Sequence, residues 1–171
     1  MKTTRLVFCL LLLFGQLVVF GQDFSNKGKD FWITYPTHID GNSSAMGIYI
    51  TSSANATGTI TVGNQTIPFT LTANSVVRKF IGPTNSGDAP NTSVYLTHDD
   101  GIAIGAAIHV VSDNPVAVYA HIIKSSRSGA TLVLPSNVWG KEYVVPSYQN
   151  YGGSASFGAI TVVAAEANTS I

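Results

Sequence analysis

The side chains that could do chemistry are few and scattered. Four histidines stand at 38, 98, 109 and 121, and no two of them share a metal-ligand spacing within one short element. His109 and His121 sit inside apolar runs, where a half-buried, hydrogen-bonded imidazole is the ordinary outcome. His38 with Asp40, and His98 with Asp99 and Asp100, lie in segments rich in oxygen donors that could hold calcium, although the same short Asp phrases serve ordinary turns. Serines are plentiful, but no Gly-x-Ser-x-Gly elbow occurs, so no serine is marked as a nucleophile. Gly101-x-x-x-Gly105 and Gly140-Lys141 lack the spacing of a phosphate-binding loop. Glu142, Glu166 and the loop aspartates could supply a glycosidase carboxylate pair, but spacing assigns none of them. No residue is therefore assigned as catalytic, cofactor-binding or metal-ligating, no cofactor is expected, and the chain does not read as an enzyme. Phe31, Trp32, Tyr35, Trp139, Tyr143, Tyr148 and Tyr151 could stack on sugar rings, though Phe31 and Trp32 must point to opposite faces of any strand and core packing is the default for such residues. N-x-S/T triplets at Asn42, Asn55, Asn64, Asn91 and Asn168 would accept glycans only in a eukaryotic secretory pathway.

The elements that would carry these residues are strands. Ile60 and Val62, then Ile67, Phe69 and Leu71, alternate with Thr and Pro across residues 57–71, and Gly63-Asn64 between them is a two-residue hairpin signal. Pro68 lacks an amide donor, which puts the second strand of that hairpin at a sheet edge or at a bulge. Further strands are expected at 45–52, 76–81 and 93–97. Two more, 102–111 and 116–123, are joined through Ser112-Asp113-Asn114-Pro115 and read as buried on both faces. Segments 36–44, 82–92 and 149–154 are loops. No helical periodicity lasts beyond a turn. The expected fold is all-β and antiparallel, a β-sandwich-like architecture with little or no helix after the N-terminal segment; a propeller-like repeat is the alternative.

Lys2 and Arg5 precede an apolar run from Leu6 to Phe20, and Val19 and Gly21 place small residues before Gln22. That is the pattern of a secretory signal peptide over 1–21, and the run is shorter than the ~18 residues a membrane-spanning helix requires. The only cysteine is Cys9, so residues 22–171 contain no thiol and form no disulfide. Without Lys2 and Arg5 the nine basic residues fall to seven against nine acidic ones, which leaves no electrostatic footprint for nucleic acid. The expectation is export, to the medium or the cell surface, with no membrane span after cleavage.

Gly28-Lys29-Asp30-Phe31 recurs as Gly140-Lys141-Glu142-Tyr143, and Met46-Gly47 as Phe157-Gly158. Apolar segments follow both, at 48–53 and 159–165, and lead into similar Ala/Asn/Thr phrases. A supersecondary unit beginning twice would explain this, with a second copy starting near 140 and a domain, 22–171, incomplete at its C-terminus.

Gly28-Lys29-Asp30-Phe31-Trp32, the strand 105–111, Asp113-Asn114-Pro115-Val116-Ala117-Val118-Tyr119-Ala120, Leu134-Pro135, Trp139-Gly140-Lys141-Glu142-Tyr143 and Glu166-Ala167-Asn168-Thr169-Ser170 occur in that order. Together they resemble the N-terminal domain of the IgG Fc-binding protein family, found in animal mucus proteins and in large secreted proteins of Bacteroidetes-type bacteria. The resemblance covers most of residues 28–171 and rests on the order of the phrases. It implies an extracellular binding or adhesion module with a protein or glycan ligand; the missing cysteines suit a bacterial member. Fc binding maps to no short motif here and is not carried over. A fragment of a secreted carbohydrate-active enzyme is the alternative from another class.

Overall fold

A computed structural model describes residues 25–36, 38, 40–83, 86–90, 92, 94–96, 101–146 and 160–170. Residues 1–21, His98 to Asp100, Tyr148, Tyr151 and Phe157 lie outside them. The chain is all-β: the described residues form eight strands, β1 (Gly28–Ile33), β2 (Ala45–Ser52), β3 (Ala56–Val62), β4 (Gln65–Leu71), β5 (Ser75–Gly82), β6 (Ala89–Pro90), β7 (Ile108–Lys124) and β8 (Arg127–Val133), with single 3-10 turns at Gly41–Ser43 and Ser136–Val138.

Strand β7 organises everything else. Its first half pairs with β1 and β3, and β3 pairs with β4; its second half pairs with β2 and β8, and β2 continues to β5 and β6. Every pairing except the short β5–β6 contact is antiparallel. The two sheets share this one strand and enclose one core, a barrel-like form of the expected sandwich, and the described residues form no propeller blades. Where 102–111 and 116–123 read as two strands separated by a turn, the structure has one strand beginning only at Ile108. Residues 101–107 lie outside it, with Ile102 and Ile104 exposed to solvent. The expected strand at 93–97 is absent from its described part, 94–96.

Between Ser112 and Pro115 the long strand leaves one sheet for the other. The β3 ladder ends at Ser112, the β2 ladder starts at Ala117, and relative to β1 the register slips between Gly28 and Asp30. Pro115, unable to donate, falls in that gap. Side chains tie the corner instead: Asp113 accepts from the Thr57 amide at 2.8 Å and the Thr57 hydroxyl at 2.9 Å, Asn114 donates to the Asn55 carbonyl, and Ser52 donates to the Pro115 carbonyl at 2.8 Å.

The hairpin of β3 and β4 forms as its alternation requires, with Val62 facing Gln65 and Gly63 at a φ of 59°, which glycine adopts without strain. β4 ends its sheet, which accommodates Pro68. Inward side chains from both sheets make the core: Phe31, Ile48, Ile50, Ile60, Leu71, Ile81, Val110 and Val118 are all but fully buried. Tyr35 joins them and donates its hydroxyl to the Gly47 carbonyl at 2.9 Å, and burial pushes its phenol pKa up.

Strand β8 was not expected from the sequence. It turns back from β7 through Ser125-Ser126, with Ser125 at a positive φ of 51°, and leaves every residue from Arg127 to Leu132 exposed. After it, 140–146 and 160–170 form no strand, and residues 147–159, within the anticipated second copy of the β unit, lie outside the described residues.

Candidate binding face

The second half of β7 alternates strictly. Val118, Ala120 and Ile122 point into the core, so Tyr119, His121 and Ile123 point out. This corrects the expectation of a strand buried on both faces: only Val116, Ala117 and Val118 are buried in succession. Pairing extends the outward set across the sheet. Arg78 of β5, Tyr49 of β2, Tyr119 of β7 and Leu132 of β8 lie in one register row, and Phe80, Gly47, His121 and Ala130 in the next. With strands about 4.8 Å apart, each row spans four strands in roughly 14 Å.

The face is apolar and aromatic, with one cation. Tyr119 is 42% exposed, Leu132 38% and Ile123 36%, and Val76 extends the surface along β5. Gly47 leaves room for Tyr49, because a Cβ there would stand 3.0 Å from the ring. Tyr49 leans toward His121, with ring centroids 6.3 Å apart. The Arg78 guanidinium lies 6.0 Å from the centre of the Phe80 ring. Partly exposed aromatics around an arginine are what protein-binding surfaces concentrate; the nearest carboxylate, Asp88 at the β5 edge, is engaged by the Phe80 amide and Lys79.

A second cluster forms where β1 meets the turn after β8. His109 Nε2 lies 2.7 Å from one Asp30 carboxylate oxygen, and the Ser136 hydroxyl donates to the other at 2.7 Å. Trp32 stacks on His109 with ring centres 4.0 Å apart and planes 11° from parallel. Partial burial alone would raise the Asp30 pKa, but the bonds from His109 and Ser136, the charge on His109 and the indole of Trp32 outweigh it and hold the carboxyl below its usual value. The three residue types are those of a hydrolytic triad, but the connectivity differs. Asp30 stands in the middle and accepts from both partners, so the histidine does not touch the serine and cannot take its proton.

The other sequence candidates disperse. The His38 Nδ1 accepts the Asp40 amide at 3.3 Å and contacts the Ser44 hydroxyl at 2.7 Å, while one Asp40 oxygen takes Arg127 at 2.9 Å. That loop is tied together by its own bonds, and among the described residues no three His, Cys, Asp or Glu side chains converge as a metal site would require. Gly101 and Gly105 are exposed ahead of β7 rather than at its start. The five described aromatics do not form one platform: Phe31 and Tyr35 are core residues, Trp32 faces out, Trp139 donates to the Leu134 carbonyl, and Tyr143 is exposed. The aromatics that do gather, Tyr49, Phe80 and Tyr119, were not singled out from sequence. Counting in twos along β7 and from its register partners is the signal that finds them.

Fold and face together have the character of an all-β recognition module. The model of a protein family described as IgGFc binding protein matches residues 129–171, from within β8 onward. No curated protein and no solved structure matches the chain. Among the described residues, no helix is long and apolar enough to cross a membrane.

Proposed function

We propose that the chain is an exported binding module, secreted or held at the cell surface, that engages an extracellular protein through the outer face of β5, β2, β7 and β8. The observation that carries this reading is the row Arg78, Tyr49, Tyr119 and Leu132, an exposed aromatic and apolar surface that the core does not use. Flat tyrosines lose little side-chain entropy on binding, and a lone arginine among them adds directional bonds to a partner carboxylate or carbonyl. The family match supports a protein ligand and begins inside β8, the strand that borders this face. The N-terminal pattern of residues 1–21 supports export.

The test uses immobilised protein with purified immunoglobulin Fc and a mixture of extracellular proteins as probes. Saturable capture by the native chain, weakened about tenfold or more in a Tyr119→Ser/Leu132→Ser variant with an unchanged melting temperature, supports the assignment. Equal capture by both proteins, or capture of nothing, refutes it.

A further inference from the structure

The outer face of the other sheet has a different chemistry. Its register rows are Trp32, His109, Thr61 and Thr66, then Asp30, Val111, Thr59 and Pro68. We propose that this face of β1, β7, β3 and β4 is a binding site for a chain of neutral pyranose sugars, with the Trp32 indole as the ring against which one sugar packs.

Three observations converge on this ligand class. First, Trp32 is held in one orientation without serving the core, whose side of β1 is filled by Phe31 and Ile33. Ser136 fixes Asp30, Asp30 fixes His109, and His109 stacks on the indole, so three separated segments immobilise one surface ring. A pre-set aromatic lowers the ordering cost of binding, and an indole suits the apolar face of a pyranose. Second, hydroxyls line the surface beside that ring. Those of Thr59, Thr61 and Thr66 make no hydrogen bond within the described residues, which leaves donors and acceptors for sugar hydroxyls. Exposed Pro68 and Val111 lie between them as apolar contacts for sugar C–H groups. Third, the face carries little charge. Apart from Lys29, exposed at the start of β1, no lysine or arginine lies on β1, β3, β4 or residues 108–115 of β7, Asp30 is engaged by His109 and Ser136, and Asp113 is engaged by Thr57. A ligand without charge is the one such a surface complements, in contrast to the aromatic and cationic face of the other sheet.

Titration calorimetry of the full exported chain with hexasaccharides of β-1,4-glucose, β-1,3-glucose and β-1,4-N-acetylglucosamine, and with an oligogalacturonate as the charged comparison, tests the assignment. The expected result is saturable millimolar binding of at least one neutral hexasaccharide and none of the acidic one. Trp32→Ala should weaken that binding about tenfold, with Trp32→Phe intermediate. Thr59→Val/Thr61→Val keeps the β-branched shape and fold while removing two hydroxyls, so it reports on the site even if Trp32→Ala disturbs folding. Tyr119→Ser/Leu132→Ser, on the other face, should bind sugar normally, which separates failure here from failure of the protein-binding assignment. Absence of binding by every neutral hexasaccharide, or unchanged affinity in both the Trp32→Ala and the double threonine variants, overturns the proposal.

Discussion

Asp30→Asn isolates the junction between the first strand and the turn after the last. The native carboxylate accepts two hydrogen bonds of 2.7 Å, from His109 and Ser136. A buried charge-assisted bond contributes about 1.5–3 kcal/mol, but Asp30 is 42% exposed and His109 28%, so water and salt screen much of that. The asparagine oxygen can still accept from Ser136, and the loss falls mainly on the His109 contact. The expected destabilisation at pH 7 is therefore about 1 kcal/mol, and Asp30→Ala, which removes both bonds, should lose about 1–2 kcal/mol. For a domain of this size 1 kcal/mol lowers the melting temperature by roughly 2–4 °C. Acid supplies the sharper test. The folded carboxyl titrates below its usual value, so the folded state binds fewer protons than the unfolded state in that range. Its contribution is complete above the unfolded value of about 3.9 and disappears as pH falls through the lower folded value. Thermal unfolding of native and Asp30→Asn protein should show a gap from pH 5 to 7 that closes on acidification below about pH 4. A gap that stays constant down to pH 3, or none at neutral pH, would refute the reasoning.

Val118 is fully buried and pairs with both Ile50 and Val133, so Val118→Asp should cost several kcal/mol and abolish cooperative unfolding or lower its midpoint sharply in denaturant titrations. Gly58 lies where an added Cβ would meet the Val111 carbonyl of the neighbouring strand, so Gly58→Ala should destabilise by about 1–3 kcal/mol; an unchanged midpoint would show that β3 and β7 can separate there without cost. Intact-mass measurement of exported protein should place the mature N-terminus at or within a few residues of Gln22, and a retained Met1 would contradict the signal-peptide reading. Exposed Ile104, Val144 and Ile160 predict concentration-dependent association in sedimentation, reduced when Ile104 and Val144 are replaced by lysine.

Much of the fold was legible because alternation and turn chemistry agreed. Residues 57–71 carried both signals, and β2 also formed over its expected range, 45–52. β8 was missed because Ser125-Ser126 carries none of the Gly or Asn that marks a two-residue turn, and because its exposed residues lack an apolar face. β7 was misread as two strands because Asp-Asn-Pro is ordinary turn chemistry, whereas here the polar groups satisfy a corner within one strand. The Asp30–His109–Ser136 cluster joins residues far apart in the chain, and no local pattern announces it. Gly28 and Pro135, from two of the phrases that carried the family resemblance, meet in the same place: a Cβ on Gly28 would collide with the Pro135 ring.

The corner in β7 explains how one short chain presents two faces of different chemistry. Ile108, Val110 and Ser112 before it, and Val116, Val118 and Ala120 after it, are all buried, so the alternation passes through the corner in phase and a single core serves both sheets. It follows that His109 and Val111 on one outer surface and Tyr119 and His121 on the other project from the same side of one continuous strand. A strand of 17 residues is long for a globular domain, where five or six is common, and it would be hard to hold straight against two separately twisted sheets. The Thr57–Asp113 and Ser52–Pro115 bonds fix where it bends. Shortening the corner by one residue would reverse the in-and-out order of everything after it, exposing Val118 and burying Tyr119, which is why the polar Asp113-Asn114-Pro115 phrase is a structural part of both faces although it belongs to neither.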